Sequence, residues 1–399
     1  MEWKEVRLGD VCEIITGFPF PGKKYSKEGI RVVRGDNVTI GNLRWDAEKD
    51  KRWNEPFDKT EYYSLQANDI VIGMDGSRVG KNKARIKKED LPLLLAQRVA
   101  CVRHNELAEQ DYLYYNIFSK KFIDYVNSIH TGSAIPHISQ KQIEDYKILL
   151  PDLETQRRIA SILSSLDRKI ELNNKINADL EEMAQAIFKN WFVDFEPFKD
   201  GKFVDSELGM IPEGWKVVVF DNILKVTTTK TGKEGIPEYS VTNTGIHPRD
   251  EKFTKNLSKS SAKNKLIRKG NLVFGMSREI LNWGIMKEEV GGVSSAYNVY
   301  IVDEKIVNTT YLECFIAQRM DYFADLIKPA SREGQGVDKA LLKKKIICIP
   351  PSEVMDVFLE KYNSIKLLTE IRNQESSRLS LLRDTLLPRL MSGEIEVPE

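Results

Sequence analysis

Two long amphipathic stretches dominate the pattern of apolar and polar positions along the chain. Apolar residues recur at steps of three and four between Pro151 and Pro197, and again between Pro351 and Pro388. Such steps are typical of a coiled-coil seam, and proline is excluded from helix interiors. The pattern therefore predicts two long helices, each roughly 50–60 Å long. Their seam positions are Ile159, Ile162, Leu163, Leu166, Ile170, Ile176, Leu180, Met183 and Ile187 in the first, and Phe358, Tyr362, Ile365, Leu368, Leu379, Leu382 and Leu386 in the second.

The segments that precede the two helices repeat one another. Each opens on a Trp-Lys pair, continues to a short apolar strand ending in Gly-Met, and closes on a strand that runs into proline. Two similar helices after two similar domains can bury their apolar stripes against one another, and a pseudo-twofold relation makes them antiparallel. The sequence therefore predicts an α+β fold with a pseudo-twofold internal repeat. Two mixed α/β domains are separated by two long antiparallel helices that form a coiled coil.

The predicted segments are a first α/β domain at 1–151, a first helical spacer at 152–196, a second α/β domain at 197–350 with an entry linker at 197–213, and a second helical spacer with the C-terminal tail at 351–399. Asn173 and Asn177 interrupt the first seam, where a polar residue can fix the register. The alternative is that the helices are separate amphipathic helices of one compact core. Their length and their repetition favour the paired arrangement.

Composition places the chain in a broad class. Hydrophobic residues make up 41% and charged residues 30% of 399 residues, which indicates a soluble globular protein. No membrane span is predicted, and a cytoplasmic protein is expected. The formal net charge of +1 does not exclude DNA binding, because phosphate affinity depends on where lysines and arginines lie. The scattered cysteines show no metal or disulfide spacing and are expected to be buried thiols: Cys12, Cys101, Cys314 and Cys348.

Catalytic motifs are missing from the sequence. The loop Asn/Asp-Pro-Pro-Tyr, typical of adenine methyltransferases, does not occur, and the nearest string is IPPS at 349–352. The segment 76–81 resembles a phosphate loop, but its glycines are one residue too close and Asn82 replaces the required Ser or Thr. The histidines His104, His130, His137 and His247 lack the spacing of zinc ligands. A binding protein with no cofactor and no metal is therefore expected.

Four segments at the junctions of the repeat carry a resemblance to a known family. They are LETQRRIASILSSLD at 153–167, continuing with KIELNNKIN at 169–177, then WFVDFEP at 191–197, LGMIPEGW at 208–215 and LLPRLMSGEI at 386–395. In this order they resemble the specificity (S) subunits of type I restriction-modification systems. The resemblance covers the whole chain, is strongest in the helical regions, and is faint in the loops. The segment 353–356 departs from it, because it lacks the Gln156-Arg157 pair of the first helix.

The resemblance implies a non-catalytic DNA-recognition subunit. Each half would begin with a target-recognition domain that reads one part of a split double-stranded target, and the helices would form the spacer. Two modification subunits, which carry S-adenosylmethionine and the methyl-transfer site, would flank it, and restriction subunits would add cleavage. The S subunit itself would bind no cofactor. Two other function classes remain open at this point: a fused methyltransferase or nuclease, and a coiled-coil scaffold without a nucleic-acid partner.

Candidate DNA contacts are basic or amide side chains on loops, preferably beside glycine. Phosphate contacts position a protein, whereas arginine can read guanine and Asn or Gln can read adenine through paired hydrogen bonds. The candidates of the first half are Lys23, Lys24, Lys27, Arg31, Arg34, Ser77, Arg78, Lys81, Lys83, Ser133 and His137. Those of the second half are Lys230, Lys233, Ser277, Arg278, Asn282, Arg332 and Gln335.

An aromatic run lies at the end of the first helix: Phe188, Trp191, Phe192, Phe195 and Phe198. Such rings can stack on single-stranded bases. The position at the end of a helix favours a packing role, in which the rings join the helix to a recognition domain or meet a modification subunit.

Overall fold

The structure is a computed structural model, which describes residues 3–56, 58–129, 136–249, 257, 260–277, 279–327 and 336–397. The chain divides into two compact units. Unit 1 comprises Met1–Asn174 and Asn373–Glu399, and unit 2 comprises Lys175–Arg372. Each unit therefore combines one α/β domain with parts of both long helices. The four-segment division expected from the sequence, at 151, 196 and 350, stays a prediction.

Among the described residues, unit 1 contains a five-stranded sheet, a three-stranded sheet and a two-stranded pair, with short helices packed against them. Its strands are β1 (Lys4–Arg7), β2 (Cys12–Thr16), β3 (Ile30–Val33), β4 (Ile40–Gly41), β5 (Arg52–Trp53), β6 (Ile70–Gly73), β7 (Lys83–Arg85), β8 (Leu93–Leu95), β9 (Val99–His104) and β10 (Lys147–Leu150). Its helices are α1 (Leu8–Val11), α2 (Thr60–Tyr63), α3 (Gln110–Phe118), α4 (Lys120–Ser128), α5 (Gln140–Glu144) and part of α6 (Leu153–Phe192).

The strand order of unit 1 places the core between the main sheet and α3–α4. Among the described residues, one sheet has the order β2-β9-β6-β7-β4, a second has β5-β3-β8, and β1 pairs with β10. The run Ile70–Gly73 is buried on both faces, since helices cover one face and the second sheet lies against the other. This burial explains why β6 is apolar throughout rather than alternating.

Unit 2 has the same plan, with four strands rather than five in its main sheet among the described residues. Its strands are β11 (Phe203–Val204), β12 (Ile211–Pro212), β13 (Lys216–Val219), β14 (Leu224–Thr227), β15 (Tyr239–Thr242), β16 (Gly245–Pro248), β17 (Lys265–Arg268), β18 (Leu272–Phe274), β19 (Trp283–Ile285), β20 (Val290–Val293), β21 (Asn298–Val302) and β22 (Ile346–Ile349). Its helices are α7 (Phe220–Ile223), α8 (Thr309–Gln318), α9 (Met320–Phe323), α10 (Lys339–Lys344) and part of α11 (Ser352–Met391). In the described part, the main sheet has the order β14-β21-β18-β19.

One buried hydrogen bond marks the repeat at atomic level. In unit 1 the Tyr112 hydroxyl donates to the carbonyl of Leu149 at 2.6 Å, and in unit 2 the Tyr311 hydroxyl donates to the carbonyl of Cys348 at 2.5 Å. In both cases the acceptor lies 37 residues after the donor. The two α/β domains therefore share their backbone plan, and the predicted α+β fold with an internal repeat is confirmed.

The long helices pair in antiparallel fashion within each unit. In unit 1, Arg383 donates to Asp167 at 2.7 Å and Asn173 donates to Glu375 at 2.9 Å, so rising numbers on α6 meet falling numbers on α11. In unit 2, Lys366 pairs with Glu181 at 2.7 Å. Each helix has 40 residues, about 60 Å at the usual helical rise.

Two details of the predicted seam are wrong. The second helix does not end at Pro388 but runs through it to Met391. Proline removes only the hydrogen bond from its own nitrogen to the carbonyl four residues earlier, and the helix ends within about one turn after it. Several predicted seam positions face solvent rather than the partner helix: Met183 is 52% exposed, and Leu368 and Leu382 are each 46% exposed. The drift between 3.6 residues per turn and a strict heptad turns such positions off the contact line. Asn173, by contrast, is fully buried at the seam.

The aromatic run packs inside unit 2. Phe192 meets Tyr311 with ring centroids 5.0 Å apart and Phe358 at 4.8 Å, and Phe195 meets Trp215 at 5.2 Å. These contacts join the end of α6 to α8, α11 and the entry of the second domain, as the packing interpretation expects.

In the described part of the chain, no helix is long and apolar enough to cross a membrane.

Candidate nucleic-acid interface

Loops from four parts of unit 1 are joined by backbone hydrogen bonds. The Gln97 amide donates to Phe18 at 2.8 Å, the Met74 amide donates to Arg98 at 2.9 Å, and the Gly76 amide donates to Pro136 at 3.0 Å. These bonds bring together residues 17–36, 74–81, 96–98 and 136–137, which we call the unit 1 loop surface. The predicted candidates from Lys23 to Arg34, together with Ser77, Arg78, Lys81 and His137, therefore belong to one surface.

Several predicted basic side chains lie exposed on this surface. Lys23, Lys27, Arg78 and Lys81 are exposed, and within the described ranges none of them has an acidic partner. Lys24 pairs with Glu55 at 2.8 Å, with both side chains about half exposed. Because both partners of this pair are exposed, it contributes little and can exchange for other anions. Exposed ammonium and guanidinium groups on adjoining loops are suited to contact phosphate oxygens. Ser77 and His137 are also exposed.

Two predicted arginines are held by structural contacts. Arg31 bonds to Asp50 at 3.3 Å and lies over the ring of Trp45 at 5.1 Å. The Arg52 guanidinium, and then that of Arg31, hold the pKa of Asp50 below its usual range. Arg34 lies over the Tyr25 ring at 5.7 Å and lines a groove of about 330 Å³ on the loop surface. Arg34 therefore faces a space that a ligand can enter, whereas Arg31 is committed to Asp50.

The prediction of a DNA contact at Lys83 is wrong. Lys83 is only 3% exposed, its ammonium donates to the carbonyl of Ile117 at 2.6 Å, and it lies 5.0 Å from the centre of the Phe122 ring. Burial lowers the pKa of Lys83 to about 7. The residue begins β7, whose side chains alternate between the two faces of the sheet, and Lys83 lies on the face that α3 and α4 cover.

Gln97 and Arg98 are exposed residues of this surface that sequence reasoning missed. They form the turn between β8 and β9, and Arg98 has a φ of +66°. The available signal was a polar pair between two apolar runs, Leu93–Leu95 and the start of Val99–His104, which is typical of a tight turn. No glycine stands in this turn, whereas the predicted candidates favour loops beside glycine.

Only two of the basic candidates predicted in unit 2 lie among the described residues, Lys230 and Lys233. Lys230 and Lys233 are exposed on a loop that hydrogen bonds to a second loop, through the Thr231 amide to Asn264 at 2.9 Å and the Gly232 amide to Ala262 at 3.1 Å. Lys263, which was not predicted, is exposed on that second loop. The two joined loops therefore carry three exposed lysines.

The prediction of a DNA contact at Ser277 is wrong. Ser277 is 1% exposed, and its hydroxyl accepts a hydrogen bond from the Asn282 amide at 2.8 Å. The Asn282 side chain is half-buried and donates to the carbonyl of Met276 at 2.5 Å. Both side chains thus close their own loop, since short polar side chains readily bond to neighbouring backbone groups. Four predicted residues lie outside the described residues: Ser133, Arg278, Arg332 and Gln335.

Comparisons with known proteins agree with this architecture. A family profile described as a type I restriction modification DNA specificity domain matches residues 1–182. The type I restriction enzyme MjaIX specificity subunit of Methanocaldococcus jannaschii is 30% identical over 72% of this chain and 70% of its own length. The MjaVIII specificity subunit of the same organism is 25% identical over 99% of this chain and 93% of its own length.

Two solved structures share the fold. The S subunit of a type I restriction-modification system from M. genitalium has a TM-score of 0.54 at 12% identity, over 98% of this chain and 96% of its own. A chain from a structure of a type I R-M system, solved to explain complex assembly and conformational transition, has a TM-score of 0.52 at 15% identity, over 99% of this chain and 98% of its own. At these identities the likeness extends to the fold alone.

The repeated α/β domain, the paired helices and the matched profile define a DNA specificity subunit of the restriction-modification class. The chain belongs to the family of type I restriction enzyme specificity subunits. The resemblance noted in the sequence is therefore confirmed, and so is its consequence that the chain is not an enzyme by itself, because its relatives are specificity subunits.

Proposed function

We propose that the chain recognises a split target in double-stranded DNA, with each α/β domain reading one half-site. In this role it places two modification (methyltransferase) subunits, and with them restriction subunits, on the target in the cytoplasm. The observation that carries the proposal is the repetition of one scaffold with differing loop surfaces. The bond from Tyr112 in unit 1 recurs at Tyr311 in unit 2, while the exposed loop side chains differ.

The charge distribution supports this function in unit 1. Exposed basic groups lie on the loop surface at Lys23, Lys27, Arg78 and Lys81, although the net charge of the chain is only +1. Each phosphate contact releases condensed counterions, so such a surface gives salt-dependent affinity that does not depend on sequence. Discrimination between sequences then has to come from base-edge contacts.

The experiment that tests the proposal has two steps. Methylated bases are sequenced in the genomes of hosts that carry this gene, the gene of a cognate modification subunit, both genes or neither. We expect one split motif to gain methyladenine only when both genes are present. Band-shift titrations of the purified complex then compare duplexes carrying that motif with scrambled duplexes. Equal affinity for both, together with an unmethylated genome, would contradict the proposal.

A matched exchange tests the assignment of one half-site to each domain. Residues 1–150 are replaced by the corresponding segment of a relative, and residues 197–350 are kept. One half of the methylated motif is expected to change and the other to stay. A hybrid in which both halves change would show that the domains do not read independently.

A further inference from the structure

The turn between β8 and β9 holds an arginine in a backbone conformation that arginine rarely adopts. The φ of Arg98 is +66°, in the left-handed region, where a side chain other than glycine or asparagine is disfavoured by about 1 kcal/mol. Such conformations persist only where the surroundings fix them, and they concentrate at functional sites.

The surroundings of the turn do fix it on both sides. The Gln97 amide donates to Phe18, and the Arg98 carbonyl accepts from Met74 at 2.9 Å. Gly17 permits the close approach on the first side, because a Cβ there would lie 2.1 Å from the carbonyl oxygen of Ala96. The turn is thus clamped between the loop at 17–20 and the end of β6.

The side chain of Arg98 is presented to solvent in a defined orientation. It is 67% exposed, and its Nη1 donates to the carboxylate of Asp75 at 2.6 Å, whose own side chain is 22% exposed. The backbone of Asp75 is itself held in a β-bridge to His137. Among the described residues, Nε and Nη2 of Arg98 have no partner. One edge of the guanidinium is therefore anchored, and donors remain for a ligand.

The groove beside this turn is lined by Tyr25, Arg34 and Asp36 together with Asp75 and the turn itself. The Nε of Arg34 is buried there without a hydrogen-bond partner among the described residues. A buried donor without a partner costs free energy, so the Arg34 guanidinium, which lies over the Tyr25 ring at the groove, is held there by the surrounding fold.

An arginine that binds DNA can contact either a phosphate or a base edge. The carboxylate of Asp75 makes a base contact the more suitable role for Arg98. A guanidinium neutralised by a carboxylate at 2.6 Å is a poor counter-charge for phosphate, and the carboxylate itself repels phosphate. The same carboxylate fixes the side chain and so reduces the entropy that is lost when the remaining donors engage acceptors. Neutral acceptors, such as N7 and O6 of guanine, suit this arrangement.

We propose that Arg98, positioned by Asp75, reads a guanine in the half-site of unit 1, and that Gln97 faces the neighbouring base pair. The inference rests on the proposed function and names the residues that give it specificity. It also gives the residues of the unit 1 loop surface different roles. Arg98 contacts a base, whereas the surrounding basic side chains contact phosphates: Lys23, Lys27, Arg78 and Lys81.

The test uses the complex of the full chain with its modification subunits. The motif methylated by the unmodified complex is first read from the genome, and 30-base-pair duplexes carrying each of the four bases at every position of the unit 1 half-site are titrated. Arg98→Ala and Arg98→Lys are expected to lose discrimination at one guanine by about 5- to 150-fold, with the other positions unchanged. The slope of log Kd against log salt is expected to stay unchanged.

Further variants separate positioning and folding from reading. Asp75→Asn keeps the shape but removes the anchoring charge, so a partial loss at the same guanine is expected, with a steeper salt slope. Arg98→Gly suits the left-handed backbone, and its melting temperature is expected to equal or exceed that of the unmodified chain while the discrimination is lost. Asn68→Gly, at a residue with φ +73° outside the groove, is the matched control and should leave the motif intact.

Three results would contradict the inference, and each has a different meaning for the proposed function. An evenly weakened affinity for all duplexes with a salt slope lower by about 0.9 would assign Arg98 to a phosphate and overturn the inference. An unchanged motif in all three Arg98 variants would overturn it too, while leaving the proposed function in place. If the unmodified complex itself methylates no split sequence, the proposed function and this inference fail together.

Discussion

The two units bury equivalent tyrosines, Tyr112 and Tyr311, against equivalent strands. They differ one helical turn further on, where unit 1 is filled by a side chain and unit 2 has a cavity. Tyr115 of unit 1 and Cys314 of unit 2 each occupy the sixth position of their helix, α3 or α8. Tyr115 is buried, and its hydroxyl donates to Asp167 at 2.7 Å. Beside Cys314 lies a cavity of about 660 Å³, lined by Phe188, Trp283 and others.

The charge at one position of the long helices is also reversed between the units. Asp167 and Lys366 each occupy the fifteenth position of their long helix. Asp167 pairs with Arg383 in unit 1, and Lys366 pairs with Glu181 in unit 2, both at 2.7 Å. The repeat has therefore kept the backbone and its hydrogen bonds while side-chain size and charge sign diverged. A scaffold that tolerates such exchanges in its interior can also carry different loops on its surface.

The largest effect is expected from exchanging the residues at the sixth helix position. Tyr115→Cys removes a buried ring and the bond to Asp167, so a loss of about 3–5 kcal/mol in the free energy of unfolding of unit 1 is expected. Cys314→Tyr fills part of the cavity beside Lys366, and a gain of about 0.5–2 kcal/mol in unit 2 is expected. Hydrogen exchange read by mass spectrometry assigns each change to its unit. A destabilised unit 2 in Cys314→Tyr would show that the cavity is not available for packing.

A pH dependence is expected from Lys83 of unit 1 that has no counterpart at the same place in unit 2. Lys83 begins β7, and Trp283 stands at the same place in β19. Because burial lowers the pKa of Lys83 to about 7, the folded state binds fewer protons than the unfolded state above that pH. The free energy of unfolding should therefore rise with pH from about 7 upward, by about 2–3 kcal/mol up to pH 9.

Lys83→Met should remove this rise, measured as the difference between the two proteins in urea unfolding at each pH. Trp283→Met is the control, with a difference that does not vary with pH. A constant difference for Lys83→Met as well would mean that Lys83 keeps its charge in the folded state.

The smallest effect is expected from reversing one ion pair. Arg383→Glu places a second carboxylate beside Asp167, and a loss of about 1–2 kcal/mol is expected for these half-buried groups. The double variant Asp167→Lys with Arg383→Glu reproduces the polarity of unit 2 and should recover at least half of that loss. Denaturant unfolding of the single and double variants measures the coupling. No recovery in the double variant would show that the hydroxyl of Tyr115 requires a carboxylate at position 167.

The sequence predicted the features that depend on periodicity or repetition. The long helices and the repeated α/β domains follow from apolar spacing and recurring motifs, and both are present. Features that depend on which face of a short strand is covered could not be predicted. Lys83 and Ser277 stand on loops or strand ends rich in polar residues, and only tertiary packing buries them. Arg98 was missed because its left-handed backbone is imposed by neighbouring loops rather than by a glycine or asparagine in the sequence.

The assignment of residues 373–399 to unit 1 has a consequence for the order in which the protein can mature on the ribosome. The cluster around Tyr112, Tyr115, Ile159 and Leu163 is completed by Leu390, and the ring of Trp3 lies 3.3 Å from where a side chain on Gly393 would begin. Translation delivers these last residues only after all of unit 2 has emerged. Unit 1 therefore begins before unit 2 in the sequence and is completed after it, and a nascent chain interrupted before residue 373 exposes an apolar face that Leu390 helps to cover.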